Sequence, residues 1–408
     1  MQPSPMPVEP PPSEPGSRTV LTTVAALGVS QVIAFGTSFY LLTVLGEPIG
    51  AQMGWPQSWV VGGFTIGVLA AAGVARAAGR FVAQGYGREI LTLSALCFCG
   101  GLTTIGLSND YPIYVIGWLL LGIGMGGGLY DITFGTIGRS FGAKSRTAIA
   151  LVALIGGFSS AIFWPLTGLL LAEFGWRNTC LAYAVLNLIV SAPLYWWFAP
   201  RPHGTHHSCK SRGDHQLSLT SADRPAYFAL AFLVVAEMAI NVCVSVYLLR
   251  MLTERGAQPA EALALSALVG PAQIAMRLIE LAFGNRLHPR HSMAIGVAFV
   301  ALALVMLAFG NIWLGLPLLL YGGGKGVISI ARGTLPLALF GPVRSPVLMG
   351  NISSISLVAQ AGAPVLLALV IDRHGLDTGL WIITALAVIS CGVSISLVLG
   401  ARKLAEPV

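Results

Sequence analysis

Five ionisable residues stand where an apolar chain has least use for them. Lys325 and Arg332 lie seven residues apart in YGGGKGVISIARGTLPLALF, which begins at Tyr321. Seven residues make close to two helical turns, so on a helix both cations fall within roughly 20° of one face. Glu237 interrupts LVVAEMAINVCVSVY, and Arg277 and Glu280 stand three apart in another apolar stretch. A Lys or Arg at the centre of a membrane costs at least about 2.5–3.5 kcal/mol on insertion scales, so each needs something to meet. A Lys supplies a point charge, and an Arg supplies a planar fork that grips a carboxylate with two hydrogen bonds. Two readings follow. In one, Lys325, Glu237, Arg277 and Glu280 form one polar cluster for substrate and coupling, with Lys325 and Arg277 the electrostatic seat for an anion and Glu237 coupling proton movement to its release. In the other, Glu237–Lys325 and Arg277–Glu280 are closed ion pairs that only hold a helix bundle together.

The chain around these residues is suited to a lipid solvent. Its 408 residues are 55% hydrophobic and 10% charged, with a mean hydropathy of +0.78. A soluble domain carries about 25% charged residues, and two such domains could not hide this much apolar surface. Twelve stretches reach the roughly 20 apolar residues that a spanning helix needs. The expected fold is an all-α membrane protein with twelve transmembrane helices. One bundle of six covers 18–200 and a second covers 226–401, with the one long polar segment between them, at 201–225, as a cytoplasmic linker. Residues 1–17, rich in Pro and Glu and without the basic start of a signal peptide, read as a disordered cytoplasmic tail ahead of an uncleaved anchor, and 402–408 as a second tail. The formal charge of +7 gathers in no single patch, so no nucleic-acid partner is expected. The six cysteines show neither zinc spacing nor a disulfide framework. His203, His206, His207, Cys209 and His215 fall in the linker, where a soft-metal relay is conceivable and a solvated basic segment is the expected reading. No Ser/His/Asp constellation lies in the spans, and no enzyme, cofactor or metal site is expected.

With the N-terminus in the cytoplasm, fifteen Lys and Arg residues fall on the cytoplasmic side and four on the opposite side. That is the positive-inside pattern of an even span count, with both termini cytoplasmic in a multi-pass protein of the inner membrane. The two halves also repeat. GTIGRSFGAKSR from Gly135 is echoed by GTLPLALFGPVRS from Gly333, Pro165 by Pro364, and Gly175 by Gly375, at offsets of 198 to 200 residues. Such a duplication makes two pseudo-symmetric six-helix bundles, and transporters built this way hold substrate near the midplane between their halves. At 1.5 Å per residue, Lys325 lies about 18 Å into its span, Glu237 at a similar depth, and Arg332 about 28 Å in, near the cytoplasmic surface.

Twelve spans, a six-plus-six repeat, a basic central loop and a Gly/Arg-rich loop between spans 2 and 3 resemble the major facilitator superfamily over residues 18–401. Gly79, Gly87 and Arg88 of GRFVAQGYGRE fit that family's loop motif, while Ala83 and Gln84 stand in the places of its Asp and Arg. The family's latch through that Asp therefore does not carry over. FGWR at 174–177 is similar to the monocarboxylate and oxalate–formate branch. GFSSAIFWPLT and IARGTLPLALFGP resemble a group of bacterial permeases, some of them described as arsenite exporters.

The resemblance implies that spans 1, 4, 7 and 10 line a central cavity, with Lys325 and Glu237 on it and Arg277 and Glu280 on a flanking span. It implies secondary active transport by alternating access in a monomer. The leading substrate is a small organic anion, a monocarboxylate or dicarboxylate, coupled to protons. The alternatives are efflux of arsenite or of a hydrophobic toxic compound, and a transporter-derived sensor without turnover. By the same resemblance Asp131 pairs with Arg88 to hold the cytoplasmic gate. Arg332 is expected to snorkel to the headgroups. The glycine runs at 122–128 and 322–326 are expected to serve close helix packing or a bend. Gln31, Asn241, Gln273, Asn351 and Gln360 are candidates for the pathway wall.

Overall fold

In hydrocarbon every backbone amide and carbonyl must be satisfied within the chain, so apolar stretches of this length fold as helices. A computed structural model describes residues 17–200, 223–283, 286–310 and 313–405, and nearly all of them are helical. The expected tail at 1–17 and the linker with its His and Cys residues lie almost wholly outside the described residues, and the helix of span 7 is under way at Arg224.

Among the described residues ten apolar stretches are long enough to cross a membrane, and two of them are too long to cross only once. Ser145–Phe198 and Gly315–His374 run for 54 and 60 residues. That is about 80–90 Å of helix against a hydrocarbon core of about 30 Å. Each folds back at one glycine, Gly175 (φ 73°, ψ 167°) and Gly341 (φ 75°, ψ 172°). That backbone region is essentially closed to residues with a Cβ. Twelve spans result, as the sequence predicts. The repeat reappears in the backbone: left-handed glycines recur as Gly54 and Gly256, Gly142 and Gly341, and Gly175 and Gly375, 202, 199 and 200 residues apart.

Three spans of the N-terminal half are interrupted in mid-membrane. Span 1 consists of Ser17–Thr37 and Leu41–Met53, span 4 of Tyr111–Gly128 and Tyr130–Ser140, and span 5 begins as Ser145–Gly156 and resumes at Ser159. At the break in span 4, Leu129 is extended (φ −81°, ψ −174°). The carbonyl of Gly128, freed there, accepts a hydrogen bond from Gln31 Nε2 at 2.7 Å. Gln31 is thus a structural brace, also donating to Thr133 Oγ1 at 2.8 Å. Broken helices are tolerated at membrane depth where they line a cavity, and Tyr40, Tyr130 and Gly157, beside the three breaks, do so.

The glycine runs serve packing within each half. A Cβ on Gly122 or Gly126 would overlap the carbonyl oxygens of Gly67 and Ala71 on span 2 (Gln57–Ala83). On span 10 a Cβ on Gly322 or Gly326 would overlap those of Val269 and Gln273 on span 8. The halves themselves meet toward the end that carries the basic loops. Ser354 Oγ donates to the Ala72 carbonyl at 2.6 Å, and further along Gly79 lies against the backbone of Pro346 and Gly350 on span 11. A methyl group on Gly79 has nowhere to go, because what it meets is a carbonyl oxygen. Gly79→Ala is expected to weaken this contact by about 1–3 kcal/mol, as overpacking does elsewhere, and to lower the melting temperature of the purified protein.

Candidate functional site

Between the halves lies a cavity of about 280 Å³, at the small end of the roughly 300–1,000 Å³ usual for ligand sites. The C-terminal half gives it Glu237 and Asn241 from span 7, Gln273 and Arg277 from span 8, Lys325 from span 10 and Gln360 from span 11. The N-terminal half gives it Phe35, Phe39, Tyr40, Tyr130 and Phe134 from spans 1 and 4. Three of the expected substrate residues, Lys325, Glu237 and Arg277, therefore share one cavity, and Asn241, Gln273 and Gln360 line it with them. Asn351 and Gln31 do not.

Among the described residues the two cations are held without a carboxylate. Lys325 Nζ sits 5.5 Å from the centre of the Tyr321 ring and within electrostatic range of Arg277. Arg277 is 3% exposed. Its Nε donates to Ser329 Oγ at 3.0 Å, and its Nη1 reaches across to the other half to donate to the Ala153 carbonyl at 2.8 Å. Glu237 is 4% exposed, and its Oε1 is buried with no hydrogen-bond partner. Among the described residues no ion pair joins Glu237 to Lys325 or Arg277 to Glu280. Neither of the closed pairs weighed from the sequence is formed.

Glu280 lies outside the cavity. It accepts from Ser292 Oγ at 2.7 Å and from Arg146 Nη2, of the other half, at 3.3 Å. Arg146 also donates to the Leu287 carbonyl. Three residues turn a helix by about 300°, which leaves Glu280 about 60° from Arg277 and aimed at the basic-end seam.

Two expectations are corrected at the cavity floor. Arg332 does not snorkel to headgroups: its Nη2 meets Asp131 Oδ2 at 2.6 Å across the interface of the halves, with the side chains 17% and 19% exposed. Asp131 does not pair with Arg88. It also accepts from Ser353 Oγ, while Arg88 donates to the Ala199 carbonyl at 3.0 Å, at the end of span 6. The reason is directional. Helical side chains lean toward the N-terminus of their helix. Spans 4 and 10 both run toward the basic end, so Asp131 and Arg332 tilt back into the bilayer rather than out to its surface. Below this pair lies a void of about 10 Å³, room for one water at most.

The aromatic wall went unread in the sequence. Phe35 and Phe39, and Tyr130 and Phe134, are each four residues apart, the spacing that puts two side chains on one helix face. That spacing was the available signal.

The family model described as Major Facilitator Superfamily matches residues 24–342. A search of curated proteins gives no significant match. Solved structures with a similar fold include the human organic anion transporter MFSD10 (TETRAN), at 15% identity and a TM-score of 0.71, with 93% of this chain and 100% of that one covered. A variant of the E. coli fucose:proton symporter FucP is 14% identical with a TM-score of 0.71, covering 92% and 98% of the two chains. The proton:xylose symporter XylE is 15% identical with a TM-score of 0.62, covering 92% and 95%.

Proposed function

Because the chain belongs to the Major Facilitator Superfamily, we propose that it is a secondary active transporter that moves a small organic anion, a monocarboxylate or dicarboxylate, together with protons. The observation that carries this reading is the pair of cavity cations, Lys325 and Arg277, neither bonded to a carboxylate among the described residues. Two neighbouring cations in a membrane interior are unfavourable unless paired. An anionic solute entering between the halves supplies the missing charge, and a neutral one such as arsenite does not. The burial of Glu237, with no ion-pair partner among the described residues, supports its carrying the proton. One of the structural neighbours is described as an organic anion transporter and two as proton symporters. At these identities that likeness speaks for the fold, and the substrate class rests on the cavity.

Alternating access needs a gate, and Asp131, Arg332 and Ser353 close the cavity on the basic side. The positive-inside rule puts that side in the cytoplasm, with both termini, of a bacterial-type inner membrane. On this reading the carrier is a monomer, and the closed basic end belongs to a state that does not open to the cytoplasm.

A thermal-shift panel on detergent-solubilised protein tests the substrate class, using carboxylates, inorganic oxyanions including arsenite, and hydrophobic cations. A ligand at 100 times its dissociation constant stabilises the fold by about 2.7 kcal/mol. Stabilisation by carboxylates alone supports the reading; stabilisation by arsenite or the cations alone contradicts it. Ligand binding with no movement of solute in either direction would instead identify a sensor. Proton coupling has its own expected result. Glu237→Gln, which fixes a neutral side chain, should keep substrate exchange across proteoliposomes and lose accumulation driven by a pH gradient.

A further inference from the structure

The cavity has two unlike walls, and the difference specifies the solute more narrowly than its charge does. On the N-terminal side the rings form a belt. Phe35 and Tyr130 lie 4.7 Å apart, Tyr130 stacks on Phe134 at 5.0 Å with planes 16° apart, and Phe35 is 6.4 Å from Tyr40. Phe35, Tyr40 and Tyr130 are only half-buried, so ring surface is presented to the cavity. The one carboxylate on this side, Asp131, is engaged by Arg332. On the C-terminal side Lys325 and Arg277 are the cavity cations without a carboxylate partner among the described residues.

We infer that the solute is an aromatic monocarboxylate, its carboxylate on Lys325 and Arg277 and its ring against Phe35 and Tyr130. This inference rests on the anion reading above. One carboxylate occupies Lys325 and Arg277, whereas the second carboxylate of a dicarboxylate would meet ring faces, which are electron-rich. A cation suited to those faces would be repelled by Lys325 and Arg277. The cavity volume of about 280 Å³ limits the ring system to one ring or a fused pair. Phe35 and Tyr130 are thus specificity-determining residues, acting on the planar part of the solute.

The test is a binding series on the purified full-length protein with benzoate, cyclohexanecarboxylate, acetate, succinate and benzamide. Ring-on-ring contact is expected to favour benzoate over cyclohexanecarboxylate by roughly fivefold, with acetate, succinate and benzamide weaker still. Phe35→Leu keeps an apolar side chain and removes the ring, and should bring benzoate and cyclohexanecarboxylate to equal affinity while both acids still bind. Should that variant not fold, the wild-type series decides alone. Cyclohexanecarboxylate, acetate or succinate binding as tightly as benzoate would overturn the inference and leave the anion reading standing. Benzamide matching benzoate, or none of the acids binding, would overturn both.

Discussion

Replacing Lys325 with methionine is expected to raise the melting temperature of the ligand-free protein and to remove most of its stabilisation by carboxylates. The two effects have one cause. Lys325 has no carboxylate partner among the described residues and sits over the Tyr321 ring with Arg277 in electrostatic range. The empty protein therefore carries a charge that its own structure does not neutralise. Methionine keeps a long unbranched stem and drops that charge. The insertion cost of about 2.5–3.5 kcal/mol for a central Lys is an upper bound on the gain, and a water-accessible cavity brings it to about 1 kcal/mol. A charge-assisted hydrogen bond contributes about 1.5–3 kcal/mol, so carboxylate affinity should fall tenfold to a hundredfold. Sites held in readiness for a ligand at the expense of stability behave this way. A structural ion pair behaves in the opposite sense: the variant would melt earlier and its response to carboxylates would not change. Arg277→Met should lose both stability and affinity, because Arg277 also ties the halves together through Ala153.

The second large effect is expected at the floor of the cavity. Arg332→Ala leaves Asp131 with Ser353 as its remaining partner among the described residues. Breaking a fully buried pair from one side costs about 3–5 kcal/mol, the lower end of which suits this partly buried one. The pair joins the two halves only while the basic end is closed, so the cost falls on that conformation. About 3 kcal/mol is more than a hundredfold in the conformational equilibrium. Spin labels at Gln84→Cys and Val343→Cys, both exposed at the basic end in opposite halves, read this out in a cysteine-free background. Arg332→Ala and Asp131→Ala should each lengthen the label distance. The double variant, which removes both charges together, should lie closer to wild type than the two single effects summed. Unchanged distances in both single variants would show that the seal is made elsewhere, at Gly79–Pro346 or Arg146–Glu280.

What could be read from the sequence was whatever is written along one dimension. Span length, loop charge and the 200-residue repeat are properties of runs and offsets, and the left-handed glycines at 142 and 341 and at 175 and 375 sit where that repeat puts them. The presence of Lys325, Glu237 and Arg277 in one cavity followed from depth and the resemblance of spans. Partners did not follow. Arg332 and Asp131 are 201 residues apart in the chain, and depth arithmetic on the Cα trace put Arg332 at the surface because it ignored the direction in which a helical side chain leans. Arg277 failed to find Glu280 because a backbone carbonyl of the other half lay within its reach, and no pattern of side chains announces a carbonyl. The aromatic wall is a different case: its spacing was legible on each helix, but only the packing of span 1 against span 4 turns two pairs into one surface.

The most direct test of the account is counterflow in proteoliposomes at pH 7.5, with unlabelled carboxylate inside, labelled carboxylate outside, and protein-free liposomes as the baseline for leak. Wild-type protein should show a transient overshoot of label, and Lys325→Met should show none above the baseline. Equal overshoot in the two, or overshoot with arsenite and none with any carboxylate, would contradict an anion site at Lys325.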